Sequence, residues 1–262
     1  MIPRRYIQEW KSASGWFVDS QVEQDLVISR AIAAIFSNDF LREKLAFRGG
    51  TALYKLYLTP APRYSEDIDL VQIKAEPIKE ILDFLRQVLS FLGKPVVRQK
   101  ADNNTILFHF DSEIPPVMRL RLKVETNCRE HFSVMGYDEV PFKVASGWFA
   151  GSCFVNTYHF DELIGTKLRA LYQRKKGRDL YDIYKALCSK QSNSQSILKC
   201  YRQYMLFSAG RVPSKKEFLK NIEAKMDDAE FLTDTEALLK PGEIYNSASA
   251  FKLIKTALIA GM

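Results

Sequence analysis

Hydrophobic and polar positions change period several times along the chain, and those changes divide it into elements. Val22, Leu26, Ile28 or Ala31, Ile32 and Ile35 recur at helical spacing, which predicts an amphipathic, core-packed helix capped by Asp19 or Ser20. A short helix over 39–45 leads through Ala46 and Phe47 into Gly49-Gly50-Thr51. This reads as a tight turn opening another short helix, which Pro60 and Pro62 stop. Asp67 and Asp69 alternate with Ile68 and Leu70, the period of a half-buried strand over 65–73. Ile78, Ile81, Leu82, Leu85, Val88, Leu89 and Leu92 then trace one face of a helix that Gly93 ends. Segments 96–98, 105–110 and 118–126 read as antiparallel strands parted by Asn103-Asn104 and Pro115-Pro116. In the last, Met118, Leu120, Leu122 and Val124 alternate with Arg119, Arg121, Lys123 and Glu125, so one face is apolar and the other charged.

Residues 130–156, rich in Gly, Ser and aromatics, predict no more than short strands and loops that carry the chain back over the sheet. Helical period resumes over 160–174, with Asp161 as cap and Leu163, Leu168 and Leu171 as the buried stripe. Gly177 breaks that helix, and another begins at Asp179. Beyond Lys190 the polar run SNSQS reads as a linker, followed by helices over 194–207, 214–226, 229–239 and 244–259 with no further strand signal. The expected fold class is α/β (α+β): a mixed sheet flanked by helices over 1–190, then a helical-bundle lobe over 191–262.

Composition narrows the class without choosing a function. A formal net charge of +7 suits a polyanionic partner. Cys128, Cys153, Cys188 and Cys200 are scattered without a C-x-x-C pair, and only His109, His131 and His159 accompany them, so reduced thiols are expected and zinc is not. The first residues carry charge without a following apolar core, and no apolar run approaches membrane-span length. A cytoplasmic protein without a membrane partner is expected.

The chemistry concentrates between Phe47 and Leu70. Backbone N–H groups at Gly49, Gly50 and Thr51 favour an anion. Asp67 and Asp69 share a strand face with Ser65, and two carboxylates facing a phosphate-binding turn call for a cation. Mg²⁺ (or Mn²⁺), held by carboxylates and substrate phosphates, meets that demand. The stretch therefore reads as an NTP and metal site. No G-x-x-x-x-G-K-[ST] is present, which disfavours a Walker-type kinase. A metal-dependent nuclease and a non-catalytic nucleotide or RNA sensor are compatible with the same residues.

The order Gly-Gly-Thr, short helix, then Arg63-Tyr64-Ser65-Glu66-Asp67-Ile68-Asp69 resembles the first motif of the AbiEii abortive-infection nucleotidyltransferases, relatives of the MenT toxins in the DNA polymerase β-like superfamily. The segment KLRALYQRKKGRDLYDIY, from Lys167 to Tyr184, resembles that family's other signature, with its Lys-x-x-Ala and Arg-Asp-x-x-Asp pattern. The resemblance implies a polymerase β-like domain that moves an NMP from an NTP to a hydroxyl of RNA, of the acceptor end of tRNA, or of a protein. It also implies a toxin used in phage defence, with a cognate antitoxin. Asp67 and Asp69 would carry metal, and Glu125 on the charged strand face would be the third acid, with Asp111 or Glu113 as substitutes. The competing reading makes Glu125 a solvated partner of Lys123. Lys167 would contact the triphosphate, and Arg178 with Asp179 or Asp182 would orient it. Gly50 and Thr51 would hold phosphate, Arg48 would add a charged contact or be simply exposed, and Ser65 would contact phosphate or cap the turn. Arg174, Lys175 and Lys176 would guide RNA, or form a solvated basic face.

Overall fold

The computed structural model describes residues 2–100, 102–189 and 192–262. It divides into two compact units, Met1–Phe132 with Tyr137–Tyr158, and Ser133–Gly136 with His159–Met262. The boundary expected between residues 190 and 191 falls on two residues outside the described set. The helices of 160–188 cluster with the C-terminal helices and not with the sheet.

In the first unit the order is α1 (Arg4–Ser14), α2 (Asp19–Phe36), α3 (Asp39–Lys44), β1 (Leu45–Arg48), α4 (Gly49–Ala52) running on as a π-helical turn (Leu53–Tyr57), and β2 (Asp67–Gln72). Then come α5 (Lys79–Val88), β3 (Val96–Gln99), β4 (Asn103–Asp111), β5 (Arg119–Asn127), β6 (Tyr137–Ala145) and β7 (Ala150–Tyr158). The strands form one mixed sheet in the order β3-β4-β5-β2-β1-β7-β6. Central β2 runs antiparallel to β1 and parallel to β5.

The predicted alternation is observed within β5, where Leu122, Val124 and Thr126 are buried while Arg119 and Arg121 are exposed; Met118, expected on the apolar face, precedes the strand and is exposed. Helix α2 carries the expected apolar stripe, yet it is buried on nearly every side, so its polar residues need partners. Gln24 Nε2 donates to the Arg121 carbonyl at 2.6 Å, and the Asp25 carboxylate accepts from Trp10 Nε1 at 2.9 Å and Lys55 Nζ at 2.7 Å. Asp19 is already inside the helix, so the cap position falls to Val18, whose side chain has no acceptor to offer. The 130–156 stretch folds into the β6–β7 hairpin, and β7 joins β1 in parallel at Phe47 and Thr157.

The second unit is helical and takes in two helices expected with the sheet as well as those of the expected lobe: α6 (Phe160–Gln173), α7 (Gly177–Cys188), α8 (Ser194–Ala209), α9 (Lys215–Met226), α10 (Ala229–Thr233) and α11 (Ser247–Ala257). His159, not Asp161, caps α6, its Nδ1 accepting from the Asp161 N–H at 3.2 Å. Ser214 and Glu217 close a reciprocal capping box on α9. Helix α6 crosses α8 tightly at Gly165, where a Cβ would lie 2.7 Å from that of Cys200.

Candidate active site

Strand register assembles the acids of the first unit. Asp67 and Asp69 lie on the half-exposed face of β2, with Ile68 and Leu70 turned into the core. In the parallel pairing with β5, Asp69 is opposite Glu125 and Asp67 is opposite Lys123. Glu125 is thus brought beside the pair. Asp111 pairs in register with Arg119, six positions along β5 from Glu125 and about 20 Å away at roughly 3.3 Å per residue. Its carboxylate is 3.0 Å from the Arg119 guanidinium. Glu113 accepts the Ile2 N–H, and its backbone N–H donates to Glu23, so it belongs to the contacts of the N-terminal helices.

Lys123 stands between the acids. Its Nζ is 3.3 Å from Asp67 Oδ2 and 3.1 Å from Glu125 Oε2. Burial lowers the lysine pKa, but Asp67, Glu125 and Asp69 outweigh it, and the ammonium titrates above its ordinary range. Glu125 thus lies beside Asp69 in register and pairs with Lys123. Among the described residues no three His, Cys, Asp or Glu side chains are gathered as they stand to grip one ion. The ammonium nonetheless acts as a stand-in ion: it touches two of these carboxylates and feels the charge of Asp69, so this face holds positive charge. The donor set, all carboxylate oxygen, fits a hard divalent cation.

The glycine turn abuts the same acids. Gly49 has φ +84°, and a Cβ there would overlap the Asp69 carboxylate. At Gly50 a Cβ would come within 2.7 Å of Arg63 Nη2 and 3.1 Å of Ser65 Oγ. The buried Thr51 hydroxyl donates to the Asp67 carbonyl at 2.5 Å and lies 2.9 Å from Ser65 Oγ. It fastens the turn to the start of β2. Ser65 precedes the strand and is part of this fastening.

Arg48 ends β1 opposite Asp69, and its guanidinium pairs with the buried Glu130. Burial lowers its pKa, yet Glu130 and Asp69 among its neighbours more than offset that and raise it. It is neither exposed nor loose. Two residues outside the sequence-derived set join the site. Glu130 is one. Arg63, buried against Gly50 and donating to the Tyr64 carbonyl at 2.8 Å, is the other. Arg63 lies within the resemblance motif, a signal that was there to use; Glu130 lies in the stretch without periodicity.

In the second unit, Lys167 on α6 reaches Asp182 at 2.8 Å and Asp179 at 3.5 Å on α7, both aspartates being fully buried. Arg174 grips Asp179 with two bonds, Nε at 2.6 Å and Nη2 at 2.7 Å. Arg178 instead engages Asp234, through its backbone N–H at 3.1 Å and Nε at 3.7 Å. Lys175 pairs with Asp228, and Lys176 lies 3.6 Å from both Glu230 and Asp234. Arg174, Lys175 and Lys176 are thus matched by acids of their own unit.

Known proteins resemble the chain in family and in fold. The sequence model described as "Nucleotidyl transferase AbiEii toxin, Type IV TA system" matches residues 30–249. No curated protein matches the chain by sequence. Among solved structures, the nucleotidyltransferase toxin MenT4 (Rv2826c) of Mycobacterium tuberculosis H37Rv superposes with a TM-score of 0.66 at 13% identity, covering 100% of this chain and 91% of its own. JHP933 of Helicobacter pylori superposes at 0.55 with 15% identity, covering 92% and 91%. A putative nucleotidyltransferase of H. pylori gives 0.52 with 16% identity, covering 92% and 94%. These likenesses establish a shared fold.

Proposed function

Since the chain belongs to the AbiEii family of nucleotidyl transferase toxins of type IV toxin–antitoxin systems, we propose that it transfers an NMP from an NTP to the acceptor end of tRNA. An acceptor hydroxyl oxygen bonds to the α-phosphorus, the bond to the β-phosphate oxygen breaks, pyrophosphate leaves and the hydroxyl proton passes to solvent. Such a reaction needs in-line positioning and charge neutralisation more than covalent help from the protein. The observation that carries this reading is the parallel register that sets Glu125 beside Asp69, with Gly49 against the Asp69 carboxylate.

Asp67, Asp69 and Glu125 would hold Mg²⁺ (or Mn²⁺), whose contribution when bound is Lewis-acid stabilisation of the entering and leaving oxygens. The turn at Gly49, Gly50 and Thr51 offers backbone N–H groups to the triphosphate, and Ser65 and Arg63 line it. Arg48, fixed by Glu130, places positive charge beside Asp69. In the second unit Asp182 holds the Lys167 ammonium and Arg178 engages Asp234; a triphosphate role for Lys167 and Arg178 is carried by the family motif alone. Membership of the family implies an antitoxin partner; use in phage defence and a cytoplasmic site of action belong to our proposal. No helix among the described residues is long and apolar enough to cross a membrane. The nuclease and the silent sensor lose their ground to the family assignment.

Incubation of the purified protein with each labelled NTP and total RNA tests the reading. Label should pass to tRNA from one NTP in the presence of Mg²⁺, and Asp69→Asn should abolish transfer at an unchanged melting temperature. Cleaved RNA with the NTP untouched would return the nuclease.

A further inference from the structure

We propose that Lys123 is a resident cation of the carboxylate face, one that a divalent metal must displace, so that metal affinity is set by how readily its ammonium leaves. The inference rests on the metal reading above and deepens it. One ammonium sits within 3.3 Å of Asp67 Oδ2 and 3.1 Å of Glu125 Oε2, while Asp69 is in register with Glu125. Two of the three carboxylates assigned to the metal are thereby engaged. Magnesium takes its oxygens at about 2.0–2.1 Å, so the acids must draw inward by about 1 Å from the span that the ammonium imposes. The two cations therefore compete for the same oxygens.

Two features make Lys123 the cation that yields. Its side chain and those of Asp67 and Glu125 are each about a third exposed, at 32%, 36% and 32%, so water can take over its hydrogen bonds as it departs. A lysine also carries its charge on a flexible four-carbon stem, with no planar fork to align. Arg48, the other cation facing Asp69, is the opposite case. Its guanidinium is nearly buried and locked to Glu130, which holds it in place. The face thus combines a fixed positive charge with a removable one. Without the removable one, three acids would repel each other whenever metal is absent.

The test titrates Mn²⁺ alone, without nucleotide, into the full chain by calorimetry, using wild type, Lys123→Met and Lys123→Gln, each also combined with Asp69→Asn. Circular dichroism checks that each variant is folded, and the Gln variant carries the test should the Met variant not fold. Removing the competitor should tighten Mn²⁺ binding by about tenfold or more, the range set by one charge-assisted hydrogen bond. Asp69→Asn should erase the gain. Equal affinities in wild type and both Lys123 variants, all sensitive to Asp69→Asn, would overturn the resident-cation role and leave the metal site standing. Absence of Asp69-dependent binding in every variant would overturn the metal reading and this proposal with it.

Discussion

At the scale of single residues, two glycines separate strain from contact. Gly49 and Gly93 have nearly the same positive φ, +84° and +85°, but a Cβ at Gly93 meets nothing whereas one at Gly49 meets the Asp69 carboxylate. Alanine at either position incurs a positive-φ penalty, about 1–3 kcal/mol. Only Gly49→Ala should also displace Asp69. Chemical denaturation should find both variants weakened, and the nucleotidyl-transfer assay should find Gly49→Ala nearly inactive beside an active Gly93→Ala. Equal activities would remove the turn from the site. This pairing of glycine and acid was half legible beforehand. The alternation of Asp67 and Asp69 with Ile68 and Leu70 is written in the sequence, and so is the Gly-Gly-Thr turn. Lys123 was visible as one charge on an alternating strand; its seat between Asp67 and Glu125 follows from parallel β2–β5 pairing, which no local pattern encodes.

At the scale of elements, α2 shows what periodicity misses. Its apolar stripe is plain, but burial on the remaining faces depends on where the sheet and α1 lie. Glu23 is the consequence: it is 1% exposed, it accepts the Glu113 N–H at 2.9 Å, and burial pushes its pKa up from 4.5 to about 7. The folded protein keeps this proton to higher pH than the unfolded chain does. Its stabilising contribution is therefore full below pH 4.5 and lost as pH rises through 7. Glu23→Gln cannot titrate, so its stability relative to wild type should grow between those limits, by about 3 kcal/mol at pH 8. Urea melts from pH 4 to 8 measure the difference; one that does not change with pH would refute the assignment. Strands β1 and β6 escaped prediction for simpler reasons. β1 is only Leu45–Arg48, too short to alternate, and β6 contains Pro141, tolerable because β6 is an edge strand.

The α6–α7 pair is an element-scale case in the second unit. Lys167 is 10% exposed between two fully buried aspartates, so it fastens the helices whatever else it does. Lys167→Met should lower stability by about 3 kcal/mol or more, since it strands buried negative charge. Adding Asp182→Asn should restore part of that, and a double-mutant cycle on thermal or urea unfolding reads the coupling. Strictly additive losses would mean the pair at 2.8 Å contributes no coupling. The sequence placed Lys167 and Asp182 through the family resemblance. Helical period explains why they meet: each lies on the buried stripe of its own helix.

At the scale of the whole molecule, the net charge of +7 invites the view that the basic run at Arg174, Lys175 and Lys176 draws RNA in. The ion pairs argue otherwise. Arg174 is bound twice to buried Asp179, Lys175 to Asp228, and Lys176 lies near Glu230 and Asp234. A cation already matched by an acid releases few counterions from a phosphate, because its acid must be left behind. Three true phosphate contacts would lower the salt slope of RNA binding by about 3 in the triple alanine variant, or by about 2 for a single strand. We expect the slope to stay within about 0.5 of wild type while the melting temperature falls, chiefly from the loss of Arg174 and its double bond to Asp179. RNA binding measured across a potassium chloride series, beside a thermal melt of the same preparations, checks both halves. A slope reduced by 2 or more at an unchanged melting temperature would show that these side chains leave their acids for RNA, and would restore the basic run as the surface that receives the acceptor.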